Sequence, residues 1–221
     1  MSQAKRTGLV MLALVAMTAG QAWAQYCKGM PSFVRQPFQA RVSGEFNDQA
    51  TQFLGGVAYG ANGFFGGVDV GVVNLDDLDA SAVGVNLSGG YELRALDSDR
   101  RFRLCPVANV QHLFGPNDIE GSGVDYSETT YGFGADLGVL ATETESMQLI
   151  PTAGFGFNVL NWSIEGGGAQ IDDTETFFNL DLGLGMVFNG RMAVHPFVSI
   201  PMGLEGADAS FGITLGMNFG R

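Results

Sequence analysis

Residues 210–221 read SFGITLGMNFGR, and a large apolar side chain falls at every second position: Phe211, Ile213, Leu215, Met217 and Phe219. Between them stand Gly212, Thr214, Gly216 and Asn218, all small or polar. Period two predicts a strand with one apolar face. What covers that face, a protein core or something outside the protein, decides the fold.

The pattern recurs upstream. Phe38, Ala40, Val42, Gly44 and Phe46 alternate with Gln39, Arg41, Ser43 and Glu45. Tyr131, Phe133, Ala135, Leu137 and Val139 alternate with Thr130, Gly132, Gly134, Asp136 and Gly138. Phe178, Leu180, Leu182, Leu184 and Met186 alternate with Phe177, Asn179, Asp181 and Gly183. Strands are predicted near 38–46, 52–60, 64–73, 82–93, 102–113, 130–140, 148–159, 176–188, 192–202 and 210–219. Each approaches the length that a tilted membrane-spanning strand needs.

A soluble β-sandwich also alternates, with its apolar face inward. Two features argue against one here. The second face is rich in Gly, of which the chain has 33; Gly weakens solvated strands but suits the concave inside of a narrow barrel. Aromatics also gather at both strand ends, as membrane girdles do. Phe38, Tyr59, Phe64, Tyr91, Phe102, Phe188 and Phe219 mark one end; Phe46, Phe53, Phe114, Tyr131, Phe157, Phe178 and Phe211 mark the other. The expected fold is therefore all-β, an antiparallel up-and-down transmembrane barrel of ten strands, with eight as the alternative.

The first residues supply the route. Lys5 and Arg6 precede an apolar run from Leu9 to Ala19, and Ala22-Trp23-Ala24 offers a small-residue cleavage site. The expected division is a signal peptide over 1–24, a periplasmic leader over 25–37 and a barrel domain over 38–221. The signal takes two of 11 cations and none of 23 acids, which leaves the exported chain near −14. Such a charge excludes nucleic acid as a natural partner. Charged residues are only 15% of the chain and mean hydropathy is +0.14, unlike an ordinary soluble domain.

Connections and charges sort together. Periplasmic turns are expected near 61–63, 94–101, 141–147 and 189–191, and outer loops near 47–51, 74–81, 114–129, 160–175 and 203–209. Both long loops fall on the outer side, as in outer-membrane barrels. The outer loops hold Asp48, Asp76, Asp77, Asp79, Asp118, Glu120, Asp125, Glu128, Glu165, Asp172, Asp173, Glu175, Glu205 and Asp208, with no Lys or Arg. The exported cations lie in the leader, a periplasmic turn or the adjacent strand ends.

Three strands open alike: Leu104-Cys105-Pro106, Leu149-Ile150-Pro151 and Val194-His195-Pro196. With the closing Ser210, Gly212, Leu215 and Met217, they make the mature chain resemble the small bacterial outer-membrane β-barrel superfamily, the OmpA-like barrel domain. The resemblance implies residence in the outer membrane and insertion by the barrel-assembly machinery. Since Pro cannot donate to a strand ladder, bulges or late pairing are expected at Pro106, Pro151 and Pro196.

The candidate chemistry is sparse. Arg41, Glu45, Asp69, Glu92, Arg101, Arg103, Asp136 and Asp181 should face inward as a lumen charge network, because isolated buried ions are costly. Cys27 and Cys105, in an exported chain with an even cysteine count, predict a disulfide that pins the leader across the periplasmic mouth. By loop entropy it contributes roughly 4 kcal/mol. His195, Ser199 and Asp181 are the one arrangement resembling a base with a nucleophile, which keeps a lipid- or peptide-hydrolysing enzyme as the weakest alternative. Gly132, Gly134 and Gly138 lie inside a strand, with no helix to receive a phosphate. The acidic runs at 76–79 and 172–175 match no metal-loop template, so no cofactor, catalytic or dedicated metal site is expected. Diffuse divalent bridging from the acidic loops to lipopolysaccharide phosphates is expected instead. The function expected is a non-enzymatic, structural or surface-exposed barrel, with a narrow cation-preferring pore as the alternative.

Overall fold

The structure is a computed structural model that describes residues 26–33, 36–75, 80–93, 101–115, 124–166, 169–204 and 207–220. The expected signal peptide, Asp76, Asp77, Asp79, Asp118, Glu120, Glu205, Arg35, Arg94, Arg100 and Arg221 lie outside these residues. After a short 3-10 turn at Tyr26–Lys28 come β1 (Phe38–Phe46), β2 (Ala50–Ala61), β3 (Phe64–Leu75), β4 (Ala80–Tyr91), β5 (Phe102–Phe114) and β6 (Val124–Val139). A two-residue strand β7 (Thr142–Glu143) precedes β8 (Met147–Gly166), β9 (Ala169–Phe188), β10 (Met192–Met202) and β11 (Ser210–Phe219).

Neighbours pair antiparallel in order, β6 pairs past β7 directly with β8, and β1 pairs with β11. That closes a ten-strand barrel with one extra strand, and removes every free edge within the ring. The seam is in register from Phe38↔Phe219 to Phe46↔Phe211. It therefore aligns the aromatic ends of the first and last strands.

Local sequence sets the tight turns. Asn62 and Gly63 have φ of 54° and 86°, and Asn189 and Gly190 have 51° and 64°. Asn and Gly tolerate this left-handed region, as type I′ hairpins require. Pro106, Pro151 and Pro196 each coincide with a break in one ladder. β4–β5 pairing runs to Gly90↔Val107 and resumes only as the bridge Leu93↔Leu104, skipping Pro106. β6–β8 pairing begins at Thr152, after Pro151. β9–β10 pairing jumps from Val194↔Met186 to Phe197↔Gly183, over Pro196.

The outside is apolar. Phe133 is 67% exposed, and Val42, Val57, Val70, Leu87, Phe155 and Leu215 are likewise turned outward. Aromatic contacts edge this band at one end, with Phe38 against Tyr59 and Phe219 and Phe64 against Tyr91. At the other end Phe46 meets Phe53, and Phe178 meets Phe155 and Phe157. Along β1 the two edges are eight residues apart, roughly 27 Å of strand before tilt. That suits the apolar band of a membrane barrel. No helix among the described residues is long and apolar enough to cross a membrane.

One expectation needs correction. Most of 160–175, expected as a loop, is a hairpin extension of β8 and β9, and 124–129 belongs to β6. The three strands continue beyond their neighbours, with Glu128 beside Trp162 and Trp162 beside Asp173. Alternation persists there but changes sign. Along β8 the outward series Phe155, Phe157, Val159 continues as Asn161, Ser163, Glu165, whereas the inward series Gly154, Gly156, Asn158 continues as Leu160, Trp162, Ile164. A rule that expects apolar residues outward loses the strand at that reversal.

Candidate functional site

The lumen is the candidate site, and the leader fills one end of it. Cys27 and Cys105 are joined by a disulfide across 78 residues, and both are fully buried. A positive φ at Gly29 turns the chain after Lys28, and Gly29 N–H donates to the Tyr26 carbonyl at 3.0 Å. Phe33 packs with Cys27, Ala58, Phe65 and Cys105. Met30 packs with Ile150, Val187 and Ala193. These apolar clusters close the lumen at that end.

Polar clamps complete the seat. Asn218 Nδ2 donates to the carbonyls of Pro31 at 3.3 Å and Ser32 at 3.0 Å. Its Oδ1 accepts from Gln39 Nε2 at 2.8 Å. Tyr26 Oη donates to Gln148 Oε1 at 3.2 Å, and burial pushes this phenol above its usual range. Glycines make the space. A side chain at Gly60 would meet the Phe33 ring, one at Gly138 the Tyr26 carbonyl, and one at Gly185 the backbone of Gly29.

The charges sort into pairs and singles. Arg41 grips Asp69 with two hydrogen bonds, Nε to Oδ1 at 2.6 Å and Nη2 to Oδ2 at 2.5 Å. Asn86 Nδ2 also donates to Asp69, and Arg41 reaches Ser88. Arg103 Nε lies 3.0 Å from Glu92 Oε1, with both side chains almost fully buried. Lys28 Nζ lies 3.4 Å from Asp136 Oδ2, tying the leader to β6. Glu45 instead accepts from the Ser210 hydroxyl, and Asp181 from Asn179 Nδ2. Among the described residues neither has a cationic partner. Arg101 does not join this network. β5 starts at Phe102, so the alternation that turns Arg103 inward does not govern Arg101, which stands exposed.

Above the leader lies a cavity of about 340 Å³. Lys28, Met30 and Cys27 line its floor, and Arg41, Glu45, Asp69, Asp136 and Asp181 line its wall with Phe197 and Thr214. Gln111 Nε2 donates to Gln52 Oε1 at 3.0 Å, spanning from β5 to β2.

The arrangement offers little for bond cleavage. His195 Nε2 lies 3.0 Å from Thr152 Oγ1, reaching across Gly183, where a side chain would strike both groups. Its partner is thus Thr152 rather than Ser199 or Asp181. Glu92 lies beside Cys27 and Cys105 closely enough to resemble a metal set, but both sulfurs are committed to the disulfide. Sequence reasoning missed Lys28, Gln39, Asn179, Ser210 and Asn218. Their signal was available, because each strand residue among them sits at an inward position of the alternation.

No protein-family model and no curated protein matches the chain. Solved structures do. The N-terminal β-barrel domain of Pseudomonas aeruginosa OprF is 14% identical over 83% of this chain and 98% of that one, at a TM-score of 0.39. Ail, the attachment invasion locus protein of Yersinia pestis, is 12% identical over 83% and 98%, at 0.40. The outer membrane enzyme PagL is 8% identical over 83% and 99%, at 0.37. At these identities the likenesses concern the fold alone. Ring closure itself rests on the strand pairing within this chain.

Proposed function

We propose that the chain is a non-enzymatic integral protein of a bacterial outer membrane, a plugged barrel that displays acidic groups to the outside. The docked leader carries this reading. A disulfide, two apolar clusters and the Asn218 clamp fill the lumen where a pore would have to continue. The apolar exterior between two aromatic edges supports a lipid boundary. On this reading residues 1–24 are a removed signal, and 25–37 lie on the periplasmic side. The barrel-assembly machinery inserts the strands. Glu165, Asp172, Asp173 and Glu175 then stand on the outer side of the membrane, where divalent cations bridge them to lipopolysaccharide phosphates.

Heat-modifiable mobility on a gel, with retention in the pellet after alkaline carbonate extraction, tests the membrane barrel. Extraction into the supernatant would reject it. Planar-bilayer recording tests the plug: the oxidised protein should be silent. The cation-preferring pore remains a second reading, because Glu45 and Asp181 leave the cavity acidic. Stepwise conductance with the disulfide intact would favour the pore over the plug. The hydrolase reading stands or falls on whether His195→Ala abolishes any lipid or peptide cleavage by a normally folded barrel.

A further inference from the structure

The cavity and the sheet surface beyond it carry one more inference, which rests on the plugged-barrel reading. At the leader end the cavity is floored, and Lys28 and Arg41 are each engaged by a carboxylate. Glu45 and Asp181 remain, held only by neutral donors. They stand near one another around the wall: Asp181 pairs in register with Ser199, Ser199 with Ser210, and Ser210 hydrogen-bonds Glu45. Phe197 and Leu54 add apolar wall to the same cavity. A purely hydrated metal ion has no use for that apolar lining.

The lumen-side face of β8 and β9 continues past the cavity. Its next positions include Phe177, Glu175 and Asp173 on β9, and Leu160 and Trp162 on β8. Trp162 lies between Glu128 and Asp173 in register, and its Nε1 points to Glu175 Oε1 at 3.5 Å. Among the described residues no Lys or Arg lies on this extension. An indole flanked by carboxylates is a favourable environment for an organic cation, through the ring face and Coulomb attraction together. This group of acids is a separate element of the site, bound to the first by a shared sheet face. Six residues separate Asp181 from Glu175, roughly 20 Å along β9, and the side chains themselves shorten that gap.

We propose that this face and cavity form one elongated site for a linear organic polycation, an aliphatic polyamine. One ammonium is held by Glu45 and Asp181 in the cavity above Phe197, the methylenes run outward along Phe177, and the other end rests over Trp162 among Glu128, Asp173 and Glu175. A monoamine fills only one end. A divalent metal gains nothing from the indole or the apolar wall.

The protein supplies its own reporter. The chain has two tryptophans; Trp23 is in the expected signal, so Trp162 is the only one in the exported form. Oxidised, full-length mature protein in detergent micelles is titrated with spermine, butylamine, triethylene glycol, Mg²⁺ and trilysine, following Trp162 emission. Spermine should give a saturable change, with butylamine at least about tenfold weaker and the neutral ether inactive. Glu45→Gln/Asp181→Asn and, separately, Asp173→Asn/Glu175→Gln should each weaken spermine by about tenfold or more. An equal response to butylamine, triethylene glycol or Mg²⁺ overturns the proposal, as does unchanged affinity in either double variant. Tighter binding of trilysine replaces it with peptide recognition. Heat-modifiable mobility is measured on the same samples. If it is absent, the barrel reading has failed; if it is intact without spermine binding, only the polyamine site has.

Discussion

The ten-strand wall and the sheet that extends beyond it are made from the same strands, yet they carry opposite surfaces. Along β8 the wall turns Phe155 and Phe157 outward and Gly154 and Gly156 inward; past Val159 the outward residues are Asn161 and Ser163, and the inward ones Leu160 and Trp162. Backbone pairing does not notice the change, since β8 and β9 stay in register from Met147↔Phe188 to Gly166↔Ala169. Strand geometry and solvent assignment are thus independent. Alternation says that a strand exists, and the sign of the alternation says which side meets lipid or water.

The inner side of the wall should give the largest effect when disturbed. Arg41→Met leaves Asp69 buried without its cation, and should cost about 3–5 kcal/mol in urea unfolding from lipid vesicles. Adding Asp69→Leu should recover much of that loss. If the double variant is no better than the single one, the pair is not an isolated electrostatic unit. Next comes the outer side. Phe133→Arg places a charge in the apolar band and should cost about 2–4 kcal/mol, while Ser163→Arg, on the outward face of the extension, should stay within about 0.5 kcal/mol. Equal costs would erase the boundary between the two regions.

The leader gives a comparable but separable effect. Cys27→Ser should destabilise the barrel by about 2–4 kcal/mol and release the leader to added protease, which the oxidised wild type resists. A smaller effect tests the leader's phenol. Tyr26→Phe, which removes the hydrogen bond to Gln148, should cost about 0.5–1.5 kcal/mol. Burial raises this phenol's pKa above its ordinary value near 10. The docked form therefore favours the neutral ring, and leader docking should be unaffected below about pH 10. It should weaken as pH rises through the raised value, and Tyr26→Phe should abolish that alkaline step.

Much of the ring was legible in advance. Large side chains such as Phe38, Val42 and Phe46 on one parity, and Gln39, Arg41 and Glu45 on the other, leave little choice of face. Asn62-Gly63 and Asn189-Gly190 announce their turns through chemistry that few other residues share. The extension was illegible to the same rule, because Leu160, Trp162 and Ile164 reverse its sign. The charge network was legible as a set of inward residues but not as a set of partners. Nothing in spacing distinguishes the engaged Asp136 from the cation-free Asp181, as the difference is made by Lys28 on the leader. Inward glycines at 60, 138 and 185 read simply as small wall residues, although the leader is what occupies their space.

The disulfide also bears on how such a ring can be put together. It joins the segment before β1 to β5, so β1, β2, β3 and β4 lie within a covalent loop whose ends are 78 residues apart. β11 lies outside that loop and must find β1 to make the seam. Oxidation before closure would leave a half-tethered meander, its first strand already anchored and the strands from β6 onward free to travel. Closure then becomes a search by one end of the chain for a fixed edge. The chain would close as a noose with a tail, drawn shut from the carboxyl side.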